Sequence, residues 1–299
     1  MADKVIEFTP DTPTYNIKKM LRAGGNFHFH AGRYHFRTFL ILRSNTHVEC
    51  DEGAIFERGH YYGIMTTAFK SDTKFYQGEH DITWKGGTFI GNTNEKAGSL
   101  VHIFHAQNIT FEDCTFLNCV TEHFVEIVAS KMVYFINCTF KDHQLSIRHQ
   151  DKEAMLIDFA KKSPLRVGTG IEPMYDGQHC NNIVIEGCTF ENCRNGIGTH
   201  DISVGMNPIK HHSQIYIQHC KFIGHNIGKG IAILFLNSQT VRISDCEIDG
   251  FGSAIVLGKR KKGISPAGIP ANNKDLKRCE ILEIKRNKIT RCLQDIQIQ

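Results

Sequence analysis

A nine-residue motif returns along this chain with a cysteine and a phenylalanine at fixed places. It reads DITWKGGTF from Asp81, NITFEDCTF from Asn108, MVYFINCTF from Met132, NIVIEGCTF from Asn182, QIYIQHCKF from Gln214 and TVRISDCEI from Thr240, with a weaker copy, ILEIKRNKI, from Ile281. The cysteine slot holds Gly87, Cys114, Cys138, Cys188, Cys220, Cys246 and Asn287. Two places on stand Phe89, Phe116, Phe140, Phe190, Phe222, Ile248 and Ile289. A third column, five places after the first, runs through Cys119, His143, Cys193, His225, Phe251 and Cys292, commonly behind a polar residue or glycine suited to a turn. A fixed period of this kind marks a repeat architecture.

Within the motif apolar and polar residues alternate, as in Ile109 and Phe111 around Thr110 and Glu112, which is the period of a strand. After the turn a second alternating run follows: LVHIF from Leu100, FVEIV from Phe124, MLIDF from Met155, GIGTH from Gly196, IAILF from Ile231 and AIVLG from Ala254. Uninterrupted repeats of about 24 residues are too short for strand-helix-strand crossovers or propeller blades, and they lack a leucine-rich signature. Stacked coils fit. The expected fold is all-β, a right-handed parallel β-helix in which like residues lie over like at roughly 4.8 Å.

The segment from Phe27 to Gly59 reads as the opening coils, with a turn at Ala31-Gly32 and an echo of the motif from Val48 to Phe56. Residues Tyr15 to Ala23 suit a short helix that caps the open end, where unpaired strand edges and apolar surface need cover. A single β-helix domain over residues 1–299 is expected. Residues 1–59 form its cap and first coils, and residues 60–299 its regular coils, interrupted near 143–153, 161–180, 202–213 and 259–275.

Thirty-five basic against 31 acidic residues give a net charge of +4, spread along the chain with short clusters only, so no nucleic-acid partner is expected. The N-terminal residues lack an apolar leader core, and no run approaches the roughly 18 apolar residues of a membrane span. Synthesis in the cytosol without a signal peptide and without a membrane partner is the expectation. The 11 cysteines recur singly at their places within repeats, those of the slot a whole repeat apart, which is neither disulfide nor zinc spacing; they read as reduced packing residues.

The opening AGGNFHFHAGRYHF, followed by SNTHVECDEGAIF and the N-I-T-F-x-x-C-T-F repeats, resembles the pectate-lyase-like superfamily over nearly the whole chain. The blocks EAMLID, MYDGQHCNNIVIEGCTFENC and NGIGTHD are similar to those of bacterial and phage-borne members. That resemblance implies a carbohydrate-active protein, a polysaccharide lyase, glycoside hydrolase or uronate epimerase, with tailspikes among its relatives. It implies a class and no particular substrate.

Regular coils are scaffold, so chemistry is sought where the repeat is broken. Extra residues enter on both sides of MLIDF and after GIGTH. If Met155 and Ile157 face inward, Asp158 faces outward; with Ile197 and Thr199 inward, His200 stacks beside it. Glu126 of the preceding repeat and His102 before that would join the row. The insertions add Tyr175 and Asp176, a proton donor and a carboxylate, and the substrate-binding candidates Arg148, His149, Lys161, Lys162 and Asp201.

Two chemistries remain open. Asp158 and Asp176 could pair for hydrolysis. Alternatively, His200 or a lysine could remove the proton beside a uronate carboxylate, with Tyr175 returning one. The basic loops lean towards the second. No cofactor or metal is expected, since no dense aspartate cluster offers calcium its oxygen ligands. The alternative from another class is a non-catalytic glycan-binding or structural component of a phage tail, virion-associated and compatible with a homotrimer.

Overall fold

The computed structural model describes residues 4–59, 63–67, 72–91, 98–143, 152–160, 175–199, 211–224, 228–236, 238–258 and 281–298. Three parallel sheets of ten, nine and nine strands run side by side through these residues. Each coil visits the first sheet, then the second, then the third, and the next coil lies one strand over on all three. This is a parallel β-helix, as the repeat requires.

The motif proves to be two strands with a corner between them. Its first half joins the first sheet, as in Gln107–Glu112, Lys131–Ile136 and Asn181–Glu186. The Thr-Phe half joins the second sheet, as in Thr115–Leu117, Thr139–His143 and Thr189–Cys193. The residue before the cysteine slot makes the corner by adopting a left-handed conformation, with φ of 54° at Asp113, 53° at Asn137 and 64° at Gly187. Asn, Asp and Gly tolerate that region at least cost. The corner before the third column is built alike, from Asn118, Asp142, Asn192 and Gly250. The second alternating run supplies the third sheet, through Val101–Phe104, Val125–Val128 and Met155–Asp158.

Both columns are interior stacks. Phe116, Phe140, Phe190 and Phe222 lie 4.7–4.9 Å apart between successive ring centroids, at interplanar angles of 4° to 10°. A fully buried phenylalanine contributes about 1.5–3 kcal/mol of hydrophobic stabilisation, and here each ring needs a neighbouring coil to be buried at all. Each slot thiol donates to a carbonyl of the preceding coil: Cys138 to Phe111 O at 3.5 Å, Cys188 to Phe135 O at 3.4 Å and Cys220 to Ile185 O at 3.4 Å. Where Asn287 takes the slot, its amide nitrogen donates to Ile243 O at 3.0 Å. The column therefore satisfies corner carbonyls and carries no chemistry.

The cap is a helix, Thr14–Leu21, which starts after Pro13 and buries Ile17 and Leu21. It packs against the strands Gly32–Phe36 and Leu40–Leu42 of the first coil. The turn at Ala31-Gly32 is crowded: a Cβ on Gly32, whose φ is +133°, would stand 2.3 Å from Pro10 Cγ.

Candidate functional site

Alternation sends every second residue of the third sheet outward, and the pairing register sets which of these become neighbours. His102 pairs with Glu126, Glu126 with Leu156, and Leu156 with Gly198. Asp158 pairs with Val128, which pairs with Phe104. The expected single row thus divides into two, offset by two residues: Glu126 and His102 stand together, and Asp158 stands elsewhere.

Around Glu126 the outward face holds a cluster of carboxylates and imidazoles. Glu126 Oε2 lies 2.9 Å from His102 Nδ1, and both side chains are less than one-tenth exposed. The other ring nitrogen, His102 Nε2, is 3.1 Å from Ser99 O. A carbonyl only accepts, so Nε2 carries a proton. Nδ1 faces the carboxylate within ion-pair distance but without a hydrogen bond to it.

His123 stands on the other side of Glu126. Its Nδ1 donates to Glu153 O at 2.5 Å, which fixes that tautomer. Its Nε2 lies 3.9 Å from both Glu126 Oε1 and Glu122 Oε2, while Glu153 Oε2 lies 3.9 Å from Nδ1. Glu126 and Glu153 thus flank opposite edges of one buried imidazole. Lys152 Nζ sits 3.2 Å from Glu122 Oε2, and these two are the members that solvent reaches, with side chains 24% and 29% exposed. Glu122, His123 and Glu126 can each bring one ligand atom to within 4.8 Å of the others, so the same cluster could hold a cation.

Gly198 leaves the space that Glu153 occupies: a Cβ there would meet Glu153 Cγ at 3.0 Å. Gly196 relieves a closer approach, 2.4 Å from Ala232 O.

Asp158 is 2% exposed, and its Oδ1 accepts from the Phe159 amide at 2.7 Å. Asp176 is half-buried, and its two oxygens accept from the backbone amides of Phe75 at 2.6 Å and Gln178 at 2.9 Å, tying together two loops. Tyr175 packs on an apolar cluster of Phe39, Phe104, Val128, Ala129 and Ala160. Asp176, whose two oxygens accept from backbone amides of separate segments, holds loops together. Arg148, His149, Lys161, Lys162, His200 and Asp201 lie outside the described residues.

Sequence reasoning missed Glu122, His123 and Glu153. Their signal was present: aligning coils on Val125 and Met155 places Ser99, His123, Glu153 and Asn195 in one column, just before the third-sheet strand. Polar residues at that corner include purely structural ones, since Asn195 donates to Lys152 O and accepts from the Ile231 amide. Only the stacking against Glu126 distinguishes the two.

The sequence profile of the right-handed β-helix region matches residues 82–265. The chain belongs to this family. Among curated proteins, the plasmin and fibronectin-binding protein A of Streptococcus pneumoniae is 27% identical over 190 residues, 56% of this chain and 26% of that protein. The chain spans about a quarter of that relative's length. Among solved structures, the Streptococcus pneumoniae surface protein and adhesin PfbA superposes with a TM-score of 0.68 at 16% identity, covering 98% of this chain and all of that one. A tailspike protein of E. coli bacteriophage HK620, solved with a pentasaccharide, gives 0.55 at 11% identity, covering 97% of this chain and 57% of that one. A polygalacturonase from Erwinia carotovora gives 0.53 at 12% identity, covering 99% and 94% respectively. At these identities the structural likeness establishes the fold.

Proposed function

We propose that this β-helix protein binds a polysaccharide along the outward face of its third sheet and hydrolyses it there. The observation that carries the proposal is the Glu126 cluster: three carboxylates and two histidines from consecutive coils converge on one face, with His102 Nδ1 2.9 Å from Glu126 Oε2. Protonated Glu126 would act as the acid towards the departing sugar oxygen, and Glu122, the carboxylate of the cluster that solvent reaches, would activate water. The carboxylates at this face favour hydrolysis over proton abstraction from a uronate, which wants cationic groups beside its acid. Polysaccharide-active proteins of the same fold support the class of substrate.

A second reading is supported by the sequence relative that is a plasmin and fibronectin-binding protein: a surface or virion-borne adhesin whose groove holds its ligand without cleaving it. The two separate in one assay. The protein is incubated with bacterial and plant polysaccharides while new reducing ends and ultraviolet absorbance are followed. Reducing ends alone, lost in Glu126→Gln, support hydrolysis; absorbance from an unsaturated product would replace hydrolysis with lyase chemistry. Retained glycan binding with neither signal would establish the adhesin reading.

A further inference from the structure

A second group of ligand-type side chains sits in the first coil, on the outward face of the first sheet. Glu7 of the strand Val5–Phe8 pairs with His28, and His28 pairs with Glu49. His30 and Asp51 follow two residues after His28 and Glu49, just beyond the ends of their strands. A side-chain period of two combined with strands roughly 4.8 Å apart draws these groups into one patch.

His28 Nε2 lies 2.8 Å from Asp51 Oδ1, and His30 Nδ1 lies 3.1 Å from Asp51 Oδ2. A carboxylate only accepts, so Asp51 takes a hydrogen bond from each ring and a further one from the Ala31 amide at 3.3 Å. His30 therefore spends its Nδ1 proton on Asp51. Its Nε2 then faces Glu7 Oε2 at 3.2 Å, a nitrogen lone pair against a carboxylate. That contact is repulsive unless a second proton or a metal ion joins the pair.

We propose that Glu7, His28 and His30 form a binding site for a borderline divalent cation such as zinc. One ligand atom from each can come within 4.8 Å of the others. Two imidazoles and a carboxylate suit zinc and its neighbours and disfavour calcium or magnesium, which want oxygen donors throughout. Asp51, accepting from both rings, stands where a carboxylate orients metal-bound histidines and fixes their tautomers. The ion would tie the strand Val5–Phe8, which ends the first sheet and is paired on one side only, to the strand Gly25–Phe29. This site belongs to a different sheet from the Glu126 cluster and does not depend on any carbohydrate activity.

Calorimetric titration of the tag-free full chain with zinc chloride at neutral pH, with calcium chloride as a control, tests the site. The expected result is a zinc site that His30→Ala and Glu7→Gln weaken by at least about tenfold, and Asp51→Asn by about 10–100-fold. Glu126→Gln leaves it unchanged, which separates it from the other ligand cluster. Amide exchange adds a second readout: zinc should slow exchange across Val5–Phe8 in the unsubstituted protein and not in His30→Ala. The exposed Glu7 variant keeps the test meaningful if a histidine variant misfolds. No zinc binding, or zinc binding in Glu7→Gln and His30→Ala as tight as in the unsubstituted protein, overturns the proposal, and the His30–Glu7 contact is then bridged by a proton.

Discussion

Phe140 is the position at which the ring column can be tested most sharply. Its ring is fully buried and stacks on Phe116 at 4.9 Å and on Phe190 at 4.7 Å. Truncation to alanine removes the ring and leaves a cavity, at a cost of about 3–5 kcal/mol. The column's own contribution is isolated by Phe140→Leu, which keeps most of the apolar volume and loses both stacks, each contributing about 0.5–1.5 kcal/mol beyond its buried area. The expected cost is then about 1–3 kcal/mol. Phe222 is the internal control, because it stacks on Phe190 on one side and pairs with Ile248 on the other. Phe222→Leu loses a single stack and should cost about half as much. Urea unfolding followed by circular dichroism gives both values. Trp84, the sole tryptophan, reports separately on the early coils, because a solenoid need not unfold in one step. If Phe222→Leu costs as much as Phe140→Leu or more, stacking between coils is not the source of the column's stability.

Three further outcomes follow from the same geometry. Eight of the ten described cysteines are buried, so Ellman's reagent, which cannot reach them, should leave these eight untouched until the protein is denatured. His143 is buried beside Phe124, and burial lowers its pKa from 6.5 to about 4. The unfolded chain then binds the extra proton first, so stability falls as pH drops from about 6.5 towards 4, by about 2–3 kcal/mol. Urea midpoints at pH 7 and pH 4.5 should show a smaller drop in His143→Gln than in the unsubstituted protein. Met132 adopts a φ of 56° and is 37% exposed where other coils place Asn108 and Asn182. Met132→Asn should raise stability by about 1 kcal/mol, read from the urea midpoint, and a loss would refute the strain assigned to that corner.

The fold was legible because period carries it. Cysteine, phenylalanine and turn residues recur at fixed offsets, and stacking like on like is the only arrangement that buries them all. The subdivision of the motif was harder to see, since a left-handed residue such as Asn137 or His219 turns a corner without interrupting the alternation. The site was legible in part. His102 beside Glu126 follows from aligning adjacent coils of equal length. Asp158 was misplaced because the insertion after His143 removes the length reference, and a two-residue slip leaves the inward and outward faces unchanged. Asp176 could not be recognised as a loop tie, because its partners are backbone amides, which no residue identity announces. His123 and Glu153 matter through the neighbours they stack against, and that is a property of the register.

The central claim is that catalysis belongs to the Glu126 cluster and that Asp176 is structural. It is tested by measuring turnover and oligosaccharide affinity side by side in Glu126→Gln and Asp176→Asn, on the first polysaccharide that yields reducing ends. Loss of the proton donor should lower turnover about 10²–10⁴-fold in Glu126→Gln with affinity retained, while folded Asp176→Asn keeps its rate. Full turnover in Glu126→Gln, or its abolition in a folded Asp176→Asn, would contradict the account.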